Sequence, residues 1–365
     1  MSDRFFPNEM PDFAKETKTG IEEEDDTTGD SLLKLLSMPY PSLSQRFKRA
    51  ALDVKETIVM DTWGLTGQHV LDFTLYSGAL GTAFLLLKSY QVHKNKNDLY
   101  LCLEIVKACD SSSLASRDVT FLCGRAGVCA LGAVAAKYAG DEQLLNYYLA
   151  QFGQIKLLKN LPNELLYGRV GYLWACLFLN KYVGEGTIPS PTMRAVVVEI
   201  IKNGRELAKR GGPPLMFECG NYPVSEEDRK RDSLVHWCHG APGLGLTLVK
   251  AAEVFSDREF LEAAVDAAEV VWNRGLLKRV GICHGISGNA YVFLALYCIT
   301  GNLEFLYEAK AFACFLLDKA HKLIGKGEMH GGDNPYSLFE GVGGMAYLFL
   351  DMFDPSECRF PAYEL

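Results

Sequence analysis

The sequence predicts an all-α protein, a ring or solenoid of helical hairpins with a buried inner layer and a half-exposed outer layer. From about Pro41 onward, apolar residues recur at helical rather than alternating spacing, as they do across residues 257–272. A Gly-x-x-Gly pair also recurs, and each copy precedes a helix that is apolar nearly all round and then, usually, a one-sided amphipathic helix. The six pairs are Gly78/Gly81, Gly124/Gly127, Gly168/Gly171, Gly240/Gly243, Gly285/Gly288 and Gly341/Gly344. Because one hairpin can bury its apolar face only against its neighbours, six copies indicate an array of packed hairpins.

The sequence divides into an amino-terminal region and one helical domain. Residues 14–30 include the acidic run from Glu22 to Asp26 and almost nothing apolar, so we expect a mobile acidic segment there. It belongs to an amino-terminal region, 1–38, that we expect to be largely disordered. Residues 39–365 are predicted to form a single helical domain with an irregular loop at about 211–235. Within it, Ser256 and Glu259 match a capping box and predict a helix start.

Composition excludes several classes of protein. With 45 acidic and 37 basic side chains the formal net charge is -8, which offers no basic field for nucleic acid. The longest apolar stretches, such as 126–136, are shorter than the roughly 20 residues of a bilayer span, and Met1–Pro7 has no apolar signal core. Eleven cysteines without a Cys-x-x-Cys pair are typical of a reducing compartment without a disulfide framework. We therefore expect a cytoplasmic protein with no transmembrane segment.

The strongest motif is Cys-His-Gly-x-x-Gly, which occurs at Cys238-His239 and again one repeat later at Cys283-His284. Thiolate and imidazole are ligands that zinc prefers, and a helix amino terminus favours the thiolate form of cysteine. If the two repeats converge, two cysteines and at least one histidine can hold one zinc ion. Three protein ligands leave a fourth position for water or substrate, as in catalytic zinc sites. A single cysteine or histidine would be interpreted as a core residue, but the duplicated motif reverses that interpretation.

Other polar residues have competing interpretations. Cys123, in the corresponding place of the second repeat, is either an extra metal ligand or a packed core residue, and because it lacks a histidine neighbour we favour packing. Lys278 and Arg279 either hold an anionic substrate near the ion or form a solvated helix end. Glu340 is either a general acid or base or a cap for its own helix. No partner pattern gives a role to four further histidines, which are His69, His93, His236 and His321.

Motifs spread over nearly the whole chain resemble the LanC-like proteins, eukaryotic relatives of the bacterial lanthionine cyclases, and look closest to the plant members. These motifs are Arg4-Phe5-Phe6-Pro7-Asn8, Phe121-Leu122-Cys123-Gly124, Leu165-Leu166-Tyr167-Gly168-Arg169, His236-Trp237-Cys238-His239-Gly240-Ala241-Pro242-Gly243, Gly281-Ile282-Cys283-His284-Gly285, Ser337-Leu338-Phe339-Glu340-Gly341 and Arg359-Phe360-Pro361-Ala362-Tyr363-Glu364-Leu365. The resemblance implies an α/α toroid of seven inner and seven outer helices with zinc at the mouth of the ring. It further implies that the zinc ligands are Cys238, Cys283 and His284. By the same resemblance, Arg4 and Lys278 help to hold an anionic tripeptide.

The resemblance also implies a reaction, the addition of a zinc-activated thiol to a dehydroamino acid. For LanC-like proteins the thiol is glutathione and the acceptor is dehydroalanine or dehydrobutyrine in a peptide or protein, so these are the expected partners. Two alternatives come from other classes. One is a non-catalytic zinc- and glutathione-binding signalling protein at the cytoplasmic face of a membrane, where only peripheral contact is expected. The other is a glycan-active α/α toroid, for which Glu340 alone does not supply the two carboxylates required.

One interval departs from the family pattern. Gly168 and Gly240 are 72 residues apart, which leaves room for only one outer helix before the expected irregular loop. In LanC-like proteins the same interval carries a further inner helix with a His-Gly-x-x-Gly start, whose histidine is a proposed proton donor or acceptor. We therefore count six helical hairpins where the family has seven, and we expect impaired activity. His239, which matches a tyrosine in many bacterial cyclases, is the candidate catalytic residue that remains.

Overall fold

The computed structural model describes residues 4–13, 31–209, 221–222 and 234–365, and most of these residues are helical. Among them the only pairings of extended backbone are two isolated β-bridges. The predicted all-α fold class is therefore confirmed. The expected mobile segment at 14–30 lies outside the described residues, as does most of the expected irregular loop at 211–235. Within the described ranges, no helix is both long and apolar enough to cross a lipid bilayer.

The helices of the described ranges follow the predicted alternation of inner and outer elements. In chain order they are α1 (Ser31–Ser37), α2 (Tyr40–Val59), α3 (Ala79–His93), α4 (Lys96–Ser113), α5 (Arg125–Ala139), α6 (Glu142–Gly153), α7 (Arg169–Tyr182), α8 (Ser190–Ala208), α9 (Ala241–Phe255), α10 (Arg258–Arg274), α11 (Ile286–Thr300), α12 (Leu303–Gly325) and α13 (Val342–Asp351). A π-helical turn (Met60–Gly64) follows α2, and a 3-10 turn (Pro355–Glu357) follows α13. The inner helices α3, α5, α7, α9, α11 and α13 each begin directly after the first glycine of a repeated pair, as the sequence predicts.

Four of the outer helices begin at side-chain caps rather than at glycines. In α4, α6, α10 and α12 an aspartate or asparagine at the N-cap accepts a hydrogen bond from a backbone N–H of the first turn. The predicted capping box at Ser256 is wrong by one residue. Ser256 instead ends α9 in the left-handed conformation, and the neighbouring Asp257 accepts from the Glu259 N–H at 3.0 Å. A carboxylate at this position also interacts favourably with the positive end of the helix.

The chain packs as two compact units, of which the second contains residues 53–214, 336–339 and 359–365. Its core holds an aromatic cluster in which the Phe121 ring lies 4.3 Å from Trp174 and 4.9 Å from Phe178, measured between ring centroids. Backbone hydrogen bonds join the loops that precede successive inner helices, since the Leu75 N–H, before α3, donates to the Leu122 carbonyl, before α5, at 2.8 Å. The loop backbones of neighbouring hairpins are therefore in direct contact within this unit.

The first unit contains residues 1–52, 215–335 and 340–358. The pairs α9/α10 and α11/α12 form its centre, where Trp272 stacks on Phe312 at 5.9 Å. The first part of α2 packs against α13 in this unit, because Phe47 stacks on Phe349 at 5.4 Å. The amino-terminal residues also belong to it, with Phe5 bridged to Leu277. The division into an amino-terminal region and a single domain over 39–365 stays a prediction.

A buried ion pair in the second unit gives the first test of this packing. The Lys55 side chain is 3% exposed, and its Nζ lies 2.8 Å from Oδ1 of the buried Asp98, whose Oδ2 accepts from Ser89 at 2.6 Å. Replacing Lys55 by methionine keeps the aliphatic stem but leaves the carboxylate uncompensated, so we expect the free energy of unfolding to fall by about 3–5 kcal/mol. The exposed pair of Lys250 and Glu253 supplies the control, and Lys250→Met should change stability by less than about 1 kcal/mol. Urea unfolding of both variants measures the difference, and equal losses would contradict it.

Candidate metal centre

Two loops meet at the start of α9 and α11, and each carries one copy of the Cys-His-Gly motif. The Cys238 N–H donates to the Cys283 carbonyl at 3.4 Å, so the two copies are joined through the backbone. One ligand atom each from Cys238, Cys283 and His284 lies within 4.8 Å of the other two. Cys283 is 2% exposed, while Cys238 and His284 are half-buried. The structure thus brings together the three residues that the sequence assigned to a metal.

Glycines allow the loop at Cys238 to adopt this path. Gly240 has a φ of 112°, a conformation that other residues rarely adopt, and a Cβ there would overlap the Leu234 carbonyl. The second glycine of the pair, Gly243, lies so close to the Trp237 carbonyl that a side chain has no room. Gly288 makes the same close approach to the Ile282 carbonyl in the next copy. The Gly-x-x-Gly spacing is therefore a steric requirement of the turn that presents the cysteine.

Two buried asparagines hold the same loop. The Asn221 side chain is fully buried; its Oδ1 accepts from the Ala241 N–H at 2.9 Å, and its Nδ2 donates to the Leu234 carbonyl at 3.0 Å. Asn289, on α11, donates from Nδ2 to the Val235 carbonyl at 3.0 Å. These bonds fix the backbone on both sides of Cys238, a role that the sequence analysis did not predict for Asn221.

The polar groups of the cluster alter one another's protonation. A hydrogen bond with the Cys283 side chain lowers the pKa of Cys238, against the opposing effect of burial. A hydrogen bond with Cys283 also raises the pKa of His284, again against burial. Both shifts favour thiolate and charged imidazole, the forms in which these groups attract each other. The shift of the Cys238 pKa is in the direction that metal ligation requires, because cysteine ligates metal as the thiolate.

His236, to which the sequence analysis gave no role, lies against this cluster. Its ring centroid is 5.7 Å from that of His284. Burial is the largest cause of a low pKa for His236, and together with the nearby positive groups, which include His284, Arg279 and Arg4, it lowers that pKa to about 3. His236 is therefore neutral at physiological pH. Its position two residues before Cys238 was the only sequence signal that could have identified it.

The predicted substrate-binding residues lie beside the cluster, on three backbone segments that meet there. The Lys278 N–H donates to the Arg4 carbonyl at 3.0 Å, and Arg279 forms a β-bridge with His330. Arg4 and Arg279 are close enough to His236 to affect its pKa. The Lys278 Nζ lies 5.6 Å from the centroid of the Phe6 ring. The structure thus places Arg4 and Arg279 near the cluster, and Lys278 beside Arg4 in the backbone.

The remaining candidates differ in their surroundings. His239 is exposed, and its N–H donates to the His236 carbonyl at 3.2 Å, so it lies in the Cys238 loop. Glu340 accepts from the Asn334 amide at 3.0 Å and is near enough to His284 to raise its pKa. Cys123 is buried in the second unit, where burial raises its pKa to about 12. Its setting agrees with the interpretation of Cys123 as a packed core residue.

The donor set fits zinc. Two cysteine sulfurs and one histidine nitrogen are among its preferred ligands, at bond lengths of about 2.3 Å and 2.0–2.1 Å. The three ligand atoms all lie within 4.8 Å of one another, which is close enough for them to share one ion after small side-chain adjustments. Three protein ligands also match the number found in catalytic rather than closed structural zinc sites. The fold and the cluster together define a helical-hairpin repeat protein with a Cys₂His candidate metal centre.

Comparison with known proteins gives the family. A family model described as lanthionine synthetase C-like protein matches residues 69–220 and 214–365. The LanC-like protein GCL1 of Arabidopsis thaliana is 38% identical over 404 aligned positions, covering 92% of this chain and 93% of the relative. Glutathione S-transferase LANCL1 of Danio rerio is 33% identical over 384 positions, covering 89% and 93%. This chain therefore belongs to the lanthionine synthetase C-like family.

The same comparisons bear on the shortened interval. The alignment with GCL1 has more positions than the 365 residues of this chain, so the relative has residues that this chain lacks. The two segments matched by the family model meet at residues 214–220, inside the interval between Gly168 and Gly240. Among solved structures, nisin cyclase gives a TM-score of 0.47 at 15% identity over 87% of each chain, a similarity too distant to decide anything here.

The Asn221 contacts give a test of how the Cys238 loop is held. Asn221→Ala leaves the Leu234 carbonyl and the Ala241 N–H without these partners in a buried place. We expect the free energy of unfolding to fall by about 1–3 kcal/mol. Asn273 is the matched control, because its exposed amide donates a single bond to the Glu269 carbonyl, and Asn273→Ala should cost less than about 0.5 kcal/mol. Similar losses in both variants, measured by denaturant unfolding, would show that Asn221 is not a specific anchor.

Proposed function

We propose that this chain binds one zinc ion through Cys238, Cys283 and His284. The observation that carries the proposal is the convergence of these three ligand atoms within 4.8 Å at the start of two neighbouring inner helices. The hydrogen bonds that favour the thiolate of Cys238 support it further, because thiolate is the form that ligates metal. Family membership supports the same assignment, since the residues of both Cys-His-Gly motifs match the family pattern.

We further propose that the site adds glutathione to dehydroalanine or dehydrobutyrine residues of peptides or proteins, forming a thioether. Zinc, when bound, supplies a stabilised thiolate nucleophile at neutral pH. Support for glutathione comes from the relative named glutathione S-transferase LANCL1 and from the cations beside the cluster. Glutathione has two carboxylates at physiological pH, and charge-assisted hydrogen bonds to guanidinium and ammonium groups suit them.

Residues of this chain bind the substrate, support the metal ligand His284 and donate a proton. Arg4 and Lys278 bind and orient the tripeptide, with Arg279 adding positive charge on the same side. His236 stays neutral and packs against His284, which limits the freedom of that ring. Addition of a thiol to the β-carbon of a dehydroamino acid requires a proton at the α-carbon. We assign that donation to His239, which is exposed in the loop of Cys238.

The missing hairpin limits the expected rate. General acid–base assistance contributes about 10²- to 10⁴-fold in typical enzymes. Loss of the family histidine would reduce activity by up to that amount if His239 does not replace it. The shortened interval thus favours a second candidate function, a zinc- and glutathione-binding protein without turnover, which could act at the cytoplasmic face of a membrane. For both candidates we propose a cytoplasmic location.

Metal content tests the first step. We expect about one zinc per purified chain by atomic emission, and Cys283→Ala should lose most of it because one of three ligands is gone. Cys123→Ala is the matched control, since it removes a buried cysteine from the loop before another inner helix and should keep its zinc. The wild type and both variants are then given glutathione and a dehydroalanine peptide. Thioether formation that requires Cys283 supports the transferase, zinc with no product supports the binding protein, and equal zinc in both variants contradicts the site.

Titration calorimetry of the zinc-loaded protein tests the role of the cations. Glutathione should bind more tightly than a neutral thiol of similar size, because Arg4 and Lys278 contribute charge-assisted hydrogen bonds. Each alanine substitution should weaken glutathione binding by about tenfold, the equivalent of one such bond. Lys250→Ala, at an exposed lysine paired with Glu253 on α9, should leave the affinity unchanged. Unchanged affinity in Arg4→Ala and Lys278→Ala would assign both cations to the solvated surface.

A further inference from the structure

A second pair of cysteines lies at the opposite end of α11 from the metal centre. Cys298 is an exposed residue of the last helical turn, and Cys358 directly follows the 3-10 turn Pro355–Glu357. Their Sγ atoms are 3.7 Å apart. Cys358 is only 3% exposed. One accessible thiol therefore stands in contact with one protected thiol, both within the first unit.

The contact is held by the surrounding backbone and side chains. The Cys298 thiol also donates to the Pro355 carbonyl at 3.3 Å, which places it against the 3-10 turn. Before that turn, Asp351 accepts from the buried Tyr291 hydroxyl at 2.7 Å, so the end of α13 is tied to α11. The Met352 carbonyl accepts from Tyr40 at 2.7 Å. These bonds keep Cys358 beside Cys298. A disulfide bond is about 2.05 Å long, so the two sulfurs, now 3.7 Å apart, need to approach by less than 2 Å, which a small rotation of each side chain allows.

Other cysteines of the described residues lack this combination of exposure and a neighbouring sulfur. Cys102, Cys176 and Cys314 are fully buried, and burial raises the pKa of Cys176 and Cys314 to about 12 and that of Cys102 further. A buried thiol with a raised pKa reacts slowly, because the thiolate is the nucleophile. Cys238 and Cys283 also lie together, but they belong to the proposed zinc site.

We propose that Cys298 and Cys358 form a redox modification site, in which a small disulfide such as glutathione disulfide converts the two thiols into an intramolecular disulfide. The Cys298 thiolate attacks one sulfur of the small disulfide, forming a mixed disulfide and releasing one thiolate that takes up the Cys298 proton. The Cys358 thiolate then attacks the Cys298 sulfur, and the second small thiol leaves with the Cys358 proton. Two protein thiols are oxidised and one small disulfide is reduced to two thiols. The step does not involve the metal centre and does not rest on the proposed transferase activity.

The product would fasten the segment after α13 to the end of α11. The loop closed by this bond runs from 298 to 358, and a cross-link over a long loop restricts the unfolded chain more than the folded one. We therefore expect the oxidised protein to unfold at a higher temperature than the reduced protein, reversibly on addition of dithiothreitol.

The experiment uses the full chain loaded with zinc, incubated with glutathione disulfide and analysed by intact mass and by non-reducing peptide mapping. The wild type should lose the mass of two hydrogen atoms and yield a peptide pair linked through Cys298 and Cys358, with Cys102 and Cys314 reduced as internal controls. Cys298→Ser, at an exposed position, should form no such link. Cys358→Ala should instead retain one glutathione on Cys298, because the resolving thiol is gone.

The proposal is overturned if the wild type stays reduced, or if it retains glutathione on Cys298 without closing the internal bond. Loss of the melting-temperature increase in Cys298→Ser, with its reduced-state melting temperature unchanged, separates the cross-link from a general effect of the oxidant. If Cys358→Ala does not fold, the wild type and Cys298→Ser still decide the outcome.

Discussion

The close approach of backbone to backbone at each Gly-x-x-Gly turn is the constraint on which the rest of this structure depends. At Gly243 and Gly288 the carbonyl oxygen from six residues earlier occupies the place where a side chain would be. The turn is therefore tight, and the residue before the first glycine lies next to the amino terminus of the inner helix. Neighbouring turns then bond through their backbones, as Cys238 does to Cys283 and Leu75 does to Leu122. A side chain at the second glycine would force these loops apart.

The candidate metal centre is formed by two neighbouring copies of the Gly-x-x-Gly turn. Two copies of the turn carry cysteine before histidine, and their contact places two sulfurs and one imidazole together. The half-buried setting strengthens the interaction between thiolate and imidazole, because water screens it less. Positive groups from the amino terminus and from the segment before Cys283 join the same place, so the cluster and its anionic ligand would share one electrostatic environment. The cysteine and histidine side chains thus provide the metal-binding groups, and the Gly-x-x-Gly turns set the distances between them.

Helix α11 carries two sulfur systems with different environments. Its amino end follows Cys283 and His284, where hydrogen bonds favour charged forms. Its carboxyl end holds Cys298 against Cys358, roughly 20 Å away along a helix with a rise of about 1.5 Å per residue. At that distance, metal binding at one end and thiol exchange at the other are chemically independent.

The sequence by itself predicted the all-α class and the start of each inner helix within the described residues, because glycine spacing and helical periodicity are local properties of the chain. Through its duplicated motif it also indicated that Cys238 and Cys283 share one site. It also identified the family and the shortened interval after Gly168. Tertiary structure decided which other groups join the cluster. Asn221 and Arg4 lie there because separate segments of the chain meet, and no local pattern predicts that the Asn221 side chain holds the Cys238 loop. Cys298 and Cys358 are 60 residues apart and share no motif, so only the packing of the last segment on α11 brings their sulfurs into contact.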